Sequence, residues 1–192
     1  VIEEVIALSG EKDAVGWNVM GKLHQGWLFA LTGRAAEAVQ VISSGVPAWR
    51  SIGSKLWMPN CLSHLAKAYA ETGQFNDAWR CIGEAMTAVE TNKEKLWEAE
   101  VHRTAGEIAL MSSEPDLAKA EEYFERALTV SRQQQAKSWE LRAAMSLARL
   151  WRDQGKPQQA RELLAPVYGW FTEGFDTRDL KEAKALLEEL AA

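Results

Sequence analysis

Three histidines, His24, His64 and His102, are the residues of this chain best suited to bind a metal ion or transfer a proton. His64 follows His24 after 40 residues, which is the spacing of equivalent positions in a repeating structure. A transition-metal site needs its ligands to converge, usually with cysteines or carboxylates among them, and none is in step with these histidines. We therefore interpret them as packing residues and expect no metal and no cofactor.

Acidic residues also suggest chemistry, because paired carboxylates can act as general acid and base. Glu98, Glu100 and Glu107 lie close together, but Arg103 stands between the last two at helical spacing. Such spacing favours intrahelical ion pairs, so we expect a solvated, salt-linked face. No Ser-His-Asp or Cys-His arrangement is readable. The sequence predicts no catalytic residue, and we expect a protein that is not an enzyme.

The two cysteines, Cys61 and Cys81, form neither a C-x-x-C motif nor a metal-ligand cluster. Their small number is typical of a reducing compartment, and we interpret them as buried thiols in a cytoplasmic protein. The segment "SIGSK" near Gly53 lacks the length and the final hydroxyl of a phosphate-binding loop.

Composition limits the class of protein. The chain has 192 residues, of which 47% are hydrophobic and 26% charged, enough to bury a core. Charges interrupt every apolar stretch, so we expect no membrane-spanning helix. The formal net charge of −5 argues against nucleic acid and anionic membrane as general partners. The first segment, "VIEEVIALSGEKDAVGW", has no signal-peptide features, and we expect a fragment of a longer chain.

One helical motif recurs four times. Four tryptophans mark it at steps of 40, 40 and 42 residues: Trp17, Trp57, Trp97 and Trp139. Four alanines follow at steps of 40, 42 and 40: Ala38, Ala78, Ala120 and Ala160. In each copy, glycine or proline lies between the repeated tryptophan and the repeated alanine and breaks the helix. Each unit is therefore predicted to be helix, tight turn, helix, and such a period is typical of a solenoid.

The tryptophan row has two interpretations, packing between repeats or lining a groove, of which we favour packing. Apolar residues at helical spacing support the helices themselves. In the fourth copy, Ala143, Leu147, Leu150 and Trp151 share one face, and arginines lie opposite.

The pattern resembles a tetratricopeptide repeat (TPR) array. The family motif has a small residue, an aromatic, and then small, large and small residues in the second helix. The positions that match are Gly26, Phe29, Ala38, Ile42, Gly45; Ala66, Tyr69, Ala78, Ile82, Ala85; Gly106, Ala109, Ala120, Phe124, Ala127; and Ala148, Trp151, Ala160, Leu164, Val167. The third copy departs from the motif at Ala109. The usual step is about 34 residues, and the excess here falls at the end of the second helix.

The segment from Ala136 to Leu190 is further similar to the TPR tails of bacterial multidomain proteins that carry a predicted ATPase and often an adenylate/guanylate cyclase domain. The resemblance covers this chain as tail only. Any ATPase or cyclase activity would therefore belong to domains not included here.

The predicted fold is all-α: a right-handed α-solenoid of about four TPR-like helix pairs with a C-terminal capping helix, forming a single domain. A cap at Asp176 or Thr177 is expected to start the last helix. The predicted boundaries are 1–12 for the remnant of a preceding repeat, 13–53, 54–93, 94–135 and 136–173 for repeats 1 to 4, and 174–192 for the capping helix.

In TPR arrays one face of each first helix lines the concave surface, and this resemblance selects the candidate site. The candidate partner-binding residues are Met20, Leu23, Trp27, Asn60, Lys67, Arg103, Arg142, Met145, Arg149 and Arg152. We expect Trp27 to be exposed. Residues 132–161 carry a local net charge of +5, so we expect an unpaired basic end.

Function divides into two classes. The first is a scaffold of bacterial signalling that binds a protein or peptide, an acidic one at the basic end, or another domain of its own chain. The alternative is a regulatory or ligand-sensing tail that controls an ATPase or cyclase domain. Solenoids offer long concave surfaces and few closed pockets, which favours the first.

Overall fold

The computed structural model describes residues 1–191, which form ten α-helices and one short 3₁₀ turn, with no strand in that range. By their internal contacts the helices divide into two compact units, residues 1–97 and residues from 98 onward. The all-α prediction is confirmed. The predicted repeat boundaries, and the prediction of a single domain, stay predictions.

Unit 1 contains five helices, each packed on the next in chain order, and the first helices of its two pairs, α2 and α4, also touch. The helices are α1 (Ile2–Glu11), α2 (Val15–Leu31), α3 (Ala35–Ser51), α4 (Met58–Glu71) and α5 (Phe75–Asn92), followed by the 3₁₀ turn Lys95–Trp97.

Unit 2 also has two helix pairs and a single helix, but the single helix comes last. Its helices are α6 (Glu98–Met111), α7 (Leu117–Gln133), α8 (Lys137–Asp153), α9 (Pro157–Tyr168) and α10 (Arg178–Glu189). Helix α8 packs against α6, α7 and α9, and α10 packs against α8 and α9. Helix α10 therefore takes the place that a first helix would have in a further pair.

The tight turns within pairs share one hydrogen-bond pattern. Gly33, Gly73 and Gly155 have φ between +74° and +79°, a left-handed conformation that glycine adopts without steric cost. The residue after each glycine donates its backbone N–H to the carbonyl of a residue near the end of the preceding helix, as Gln74 does to Tyr69 at 2.8 Å. In the third pair, without such a glycine, Asp116 caps α7 by accepting from Lys119 N at 3.0 Å.

The small residues of the repeat lie where two helices meet. Ala78 and Ala120 are fully buried at 0% exposure. A Cβ added to Gly26 would lie 2.5 Å from Ile42 Cγ1, and one added to Gly106 would lie 2.5 Å from Phe124 Cε1. Both contacts are shorter than atoms tolerate, so the large residue of the second helix fills the space left by the small residue of the first.

The C-terminal helix begins where the sequence predicts. Gly174, at φ +77°, precedes it, and Thr177 is its N-cap residue. The Thr177 hydroxyl donates to the Gly174 carbonyl at 2.7 Å instead of capping α10.

Replacing Ala78 or Ala120 by leucine tests this packing. Three added carbons at a fully buried helix crossing should lower the free energy of unfolding by about 1 to 3 kcal/mol. Chemical denaturation followed by circular dichroism measures the change. Ala118→Leu, at an exposed position of the same helix as Ala120, is the control and should have little effect. Equal stability of all three variants and the parent would contradict the packing described.

Candidate functional site

The candidate residues of unit 1 lie on α2 and α4, and the structure separates them by burial. Met20, Trp27 and Lys67 are half-buried and reach the surface. Leu23 and Asn60 are only 2% and 4% exposed. These two side chains therefore belong to the core.

Four aromatic side chains, His24, Trp27, Trp57 and His64, form a continuous group that we call the aromatic cluster. The ring centroids of Trp27 and His24 are 4.3 Å apart. The Trp27 and His64 rings stack at 5.7 Å, and Trp57 meets His24 edge-on at 5.9 Å. The expectation of an exposed Trp27 is wrong, since two histidines flank it and leave it half-buried. His24 and His64 do pack beside tryptophans, as predicted, whereas His102 stacks on Tyr123.

Backbone contacts hold the ends of the aromatic cluster. A ring nitrogen of His24 lies 2.8 Å from the Met20 carbonyl. Trp57 has a left-handed backbone, φ 60°, and donates its N–H to Glu94 Oε1 at 2.7 Å. Burial raises the pKa of Glu94, against the effect of that hydrogen bond. The Glu94 carboxylate thus fixes the start of α4.

The repeated tryptophans do not share one environment. Trp17 is 62% exposed, whereas Trp57, Trp97 and Trp139 are half-buried. The Arg142 guanidinium lies 5.3 Å from the Trp139 ring centroid, within cation–π range. The packing interpretation therefore holds for three of the four repeated tryptophans, whereas Trp17 extends towards solvent.

In unit 2 a group of charged residues that we call the arginine network crosses three helices: Glu100, Arg103, Glu107, Arg142 and Asp179. Arg103 donates two hydrogen bonds to Glu100, at 2.8 and 2.7 Å, and a third to Glu107. Arg142 on α8 approaches Glu100 on α6 at 3.1 Å and Asp179 on α10 at 3.8 Å. Ion pairs therefore join the first helices to the capping helix.

The predicted solvated face is only partly correct. Glu100 and Arg103 are paired, but they are 7% and 8% exposed and so are buried. Burial alone would lower the pKa of Arg103, yet the charges and hydrogen bonds of Glu100 and Glu107 raise it overall. Arg103 stays cationic and satisfies the carboxylates on either side. It is a structural residue of the helix interface and has little exposed surface.

The expectation of an unpaired basic end is wrong. Arg149 pairs with Glu182 at 2.9 Å and Arg152 with Glu189 at 2.7 Å, both acids lying on α10. Met145 lies between Arg142 and Arg149 along α8. It is 3% exposed and belongs to the core. The charge count along residues 132–161 omitted the carboxylates that α6 and α10 contribute.

A second ion cluster pairs two further cations of the basic segment, Arg132 and Lys137. Glu140, 5% exposed, accepts from Arg132 at 2.9 Å and from Lys137 at 2.7 Å. Burial raises the pKa of Glu140, but the two hydrogen bonds outweigh burial and lower it overall. The carboxylate therefore stays ionised at neutral pH.

The thiols and the third histidine show no sign of activation. Burial raises the pKa of Cys61 to about 12 and that of Cys81 to about 11, so both stay protonated at neutral pH. Burial, and then the charge of Arg126, lowers the pKa of His102 to about 4. Among residues 1–191 no group of three or more His, Cys, Asp or Glu side chains could hold a metal ion. In the same range no helix has both the length and the hydropathy to cross a bilayer.

Comparison with known proteins identifies the fold. No family model matches the sequence, and no curated protein matches it significantly. One similar solved structure contains the nearly identical TPR-like repeats of a Podosopora anserina protein designated a kinesin light chain, with 16% identity, a TM-score of 0.64, and coverage of 90% of this chain and 84% of that one. A single-substitution variant of the same repeats gives 17% identity, a TM-score of 0.62, and coverage of 90% and 92%. The chain therefore has the TPR-like solenoid fold.

Removing the central arginine of the network tests its structural role. Arg103→Met leaves Glu100 buried without its main partner, so the free energy of unfolding should fall by about 3 to 5 kcal/mol. Arg178→Met is the matched control, because Arg178 makes an exposed ion pair with Glu182 on α10. The free energy of unfolding of Arg178→Met should fall by less than about 1 kcal/mol. Similar losses in urea denaturation would contradict a buried network.

The pKa of His102 predicts a pH dependence. The pKa of His102 is lower in the folded state than its unfolded value of 6.5, so its contribution to the free energy of unfolding is fully present above pH 6.5. That contribution is lost as the pH falls towards 4. Between pH 7 and pH 5 the loss should reach up to about 2 kcal/mol. His102→Gln should lose correspondingly less over this range, as measured by denaturation at both pH values. An NMR titration midpoint of His102 near 6.5 would contradict its burial.

Proposed function

We propose that this chain is a protein-interaction module that binds a segment of a partner protein on the first-helix face of unit 1. The observation that supports this proposal is the aromatic cluster, which spans α2 and α4 and is partly open to solvent. Trp27 lies at its centre in contact with the His24 and His64 rings, and the half-buried Met20 and Lys67 belong to the same two helices.

The residue types suit such a role. Tryptophan is among the residues that contribute most to binding energy at protein interfaces. Methionine adapts its shape to different partners, and lysine at the rim attracts a carboxylate. The partner chemistry that fits is a peptide segment with an apolar anchor for Trp27 and Met20 and an acidic residue near Lys67.

The arginines of α8 have a lesser part in this proposal. Arg142, Arg149 and Arg152 are engaged by carboxylates of α6, α8 and α10. An acidic partner segment could contact them only by replacing those carboxylates, which makes the unit 1 face the better binding surface.

The cellular context is a further part of the proposal and rests on sequence alone. Cysteine usage suggests a reducing, cytoplasmic location. The resemblance to bacterial ATPase and cyclase tails suggests a signalling protein, and makes another domain of the same chain the alternative source of the bound segment. The regulatory alternative has no support beyond that resemblance.

Peptide selection tests the proposed surface. A phage-displayed library of random peptides, each about 12 residues long so that it can span two helices, is selected against the chain, and the dissociation constants of enriched peptides are measured by calorimetry. Trp27→Ala should weaken these peptides at least about tenfold, since an interface tryptophan contributes well over 1 kcal/mol. Met20→Glu, at the edge of the aromatic cluster, should weaken them without removing a packed ring.

Trp170→Ala is the matched control, because Trp170 is 57% exposed and lies in unit 2. It should leave the affinities unchanged, and circular dichroism should verify that each variant stays folded. Peptides that bind Trp27→Ala and Met20→Glu as tightly as the parent would overturn the proposal.

A further inference from the structure

We propose that unit 1 carries a second binding site, a cleft between α3 and α5 that binds an extended acidic peptide. The cleft has a volume of about 760 Å³, and its lining includes Arg50, Lys55, Arg80, Gly83, Glu84 and Thr91. We call it the basic cleft. It lies on the second helices of the two pairs, whereas the aromatic cluster lies on the first helices, so the two proposals are independent.

Charge favours an anionic occupant. Three cations, Arg50, Lys55 and Arg80, line the basic cleft with a single carboxylate, that of Glu84. Within residues 1–191, no carboxylate lies within ion-pair distance of the Lys55 ammonium. The chain as a whole has a net charge of −5, so this concentration of positive charge is local.

Glu84 shows how the basic cleft would hold a carboxylate. Its oxygens lie 3.0 Å from Arg50 Nη2 and 3.1 Å from Arg80 Nη1, and Arg80 Nη2 also pairs with Asp77, outside the cleft lining, at 2.9 Å. The two guanidiniums belong to different helices and are 50% and 57% exposed, so each keeps N–H donors open to solvent. Arginine prefers the planar geometry of carboxylates, and an incoming acid would share or take the place of Glu84.

The shape of the basic cleft favours a peptide over a small molecule. Its α5 side runs along one helical face from Arg80 through Thr91 to Asn92, a length of about 18 Å at 1.5 Å per residue. An extended peptide of about five or six residues spans that distance. The cleft is open along its length, whereas small-molecule sites enclose most of their ligand.

Gly83 supports a role for the basic cleft beyond packing. It lies in the interior of α5, where glycine destabilises a helix relative to alanine. No heavy atom lies within 4 Å of a Cβ built on Gly83, whereas Gly26 and Gly106 are forced by close neighbours. The missing side chain leaves space for an occupant at this point of the cleft lining.

Fluorescence anisotropy with a labelled hexaglutamate peptide tests the site, and hexaglutamine is the uncharged control peptide. The parent chain should bind hexaglutamate at low ionic strength, and the affinity should fall at least tenfold at physiological salt. Glu84→Gln should bind at least threefold more tightly, because the internal competitor is lost. Gly83→Phe should bind at least tenfold more weakly while staying folded, since the ring enters open space.

Glu37→Gln is the matched control for Glu84→Gln. It makes the same change in net charge and releases Arg34 from an exposed ion pair outside the basic cleft. It should leave the hexaglutamate affinity within twofold of the parent. An equal gain in hexaglutamate affinity in Glu37→Gln would overturn the proposal. So would an unchanged affinity in Gly83→Phe, or the absence of binding by both the parent and Glu84→Gln.

Competition with inorganic tripolyphosphate distinguishes a peptide-binding site from a site for small polyanions. It should displace hexaglutamate only at higher concentration than unlabelled hexaglutamate does. Displacement by tripolyphosphate at lower concentration would show a site for small polyanions and overturn the peptide proposal. None of these measurements involves Trp27, so their failure and failure of the proposed partner surface are distinguishable.

Discussion

The close approach of two helices at a residue with little or no side chain is the contact on which the structure depends. Phe124 fills the space above Gly106, and Ile42 fills the space above Gly26. Nothing larger than glycine fits at either position without moving a buried side chain. This contact sets which face of each helix is buried in the pair, and hence which faces remain for other helices or for partners.

The two units use those remaining faces differently. In unit 1 the first helices carry aromatic rings and half-buried apolar side chains, with His24 and His64 on either side of Trp27. In unit 2 the corresponding faces carry charges, and Arg103 and Arg142 join Glu100 and Asp179 across helices. Buried ion pairs give little net gain in stability over an apolar contact. The same fold therefore carries half-buried aromatic rings on the first helices of one unit and buried charges on those of the other.

Sequence spacing predicts the helix pairs well, because the packing rule is local: Ala78 and Ala120 recur at the repeat step and are fully buried. It fails for side chains whose partners come from other helices. The acids that neutralise Arg142 lie on α6 and α10, and no count along α8 includes them. Trp27 looked exposed because its own helix gives no sign that His64 of α4 covers it. Sequence spacing does not reveal the basic cleft for the same reason, since its lining comes from several elements. Gly83, a glycine in the interior of α5, is the sequence feature that points to it.

We propose that the surface of unit 1 on α2 and α4 binds a partner segment, whereas ion pairs occupy the corresponding faces of α6 and α8 in unit 2. Hydrogen–deuterium exchange with and without a selected peptide tests it directly, because a bound segment suppresses local opening of the helices it contacts. We expect slower exchange in Val15–Leu31 and Met58–Glu71 and unchanged exchange in Lys137–Asp153. Slower exchange confined to Lys137–Asp153 would contradict it.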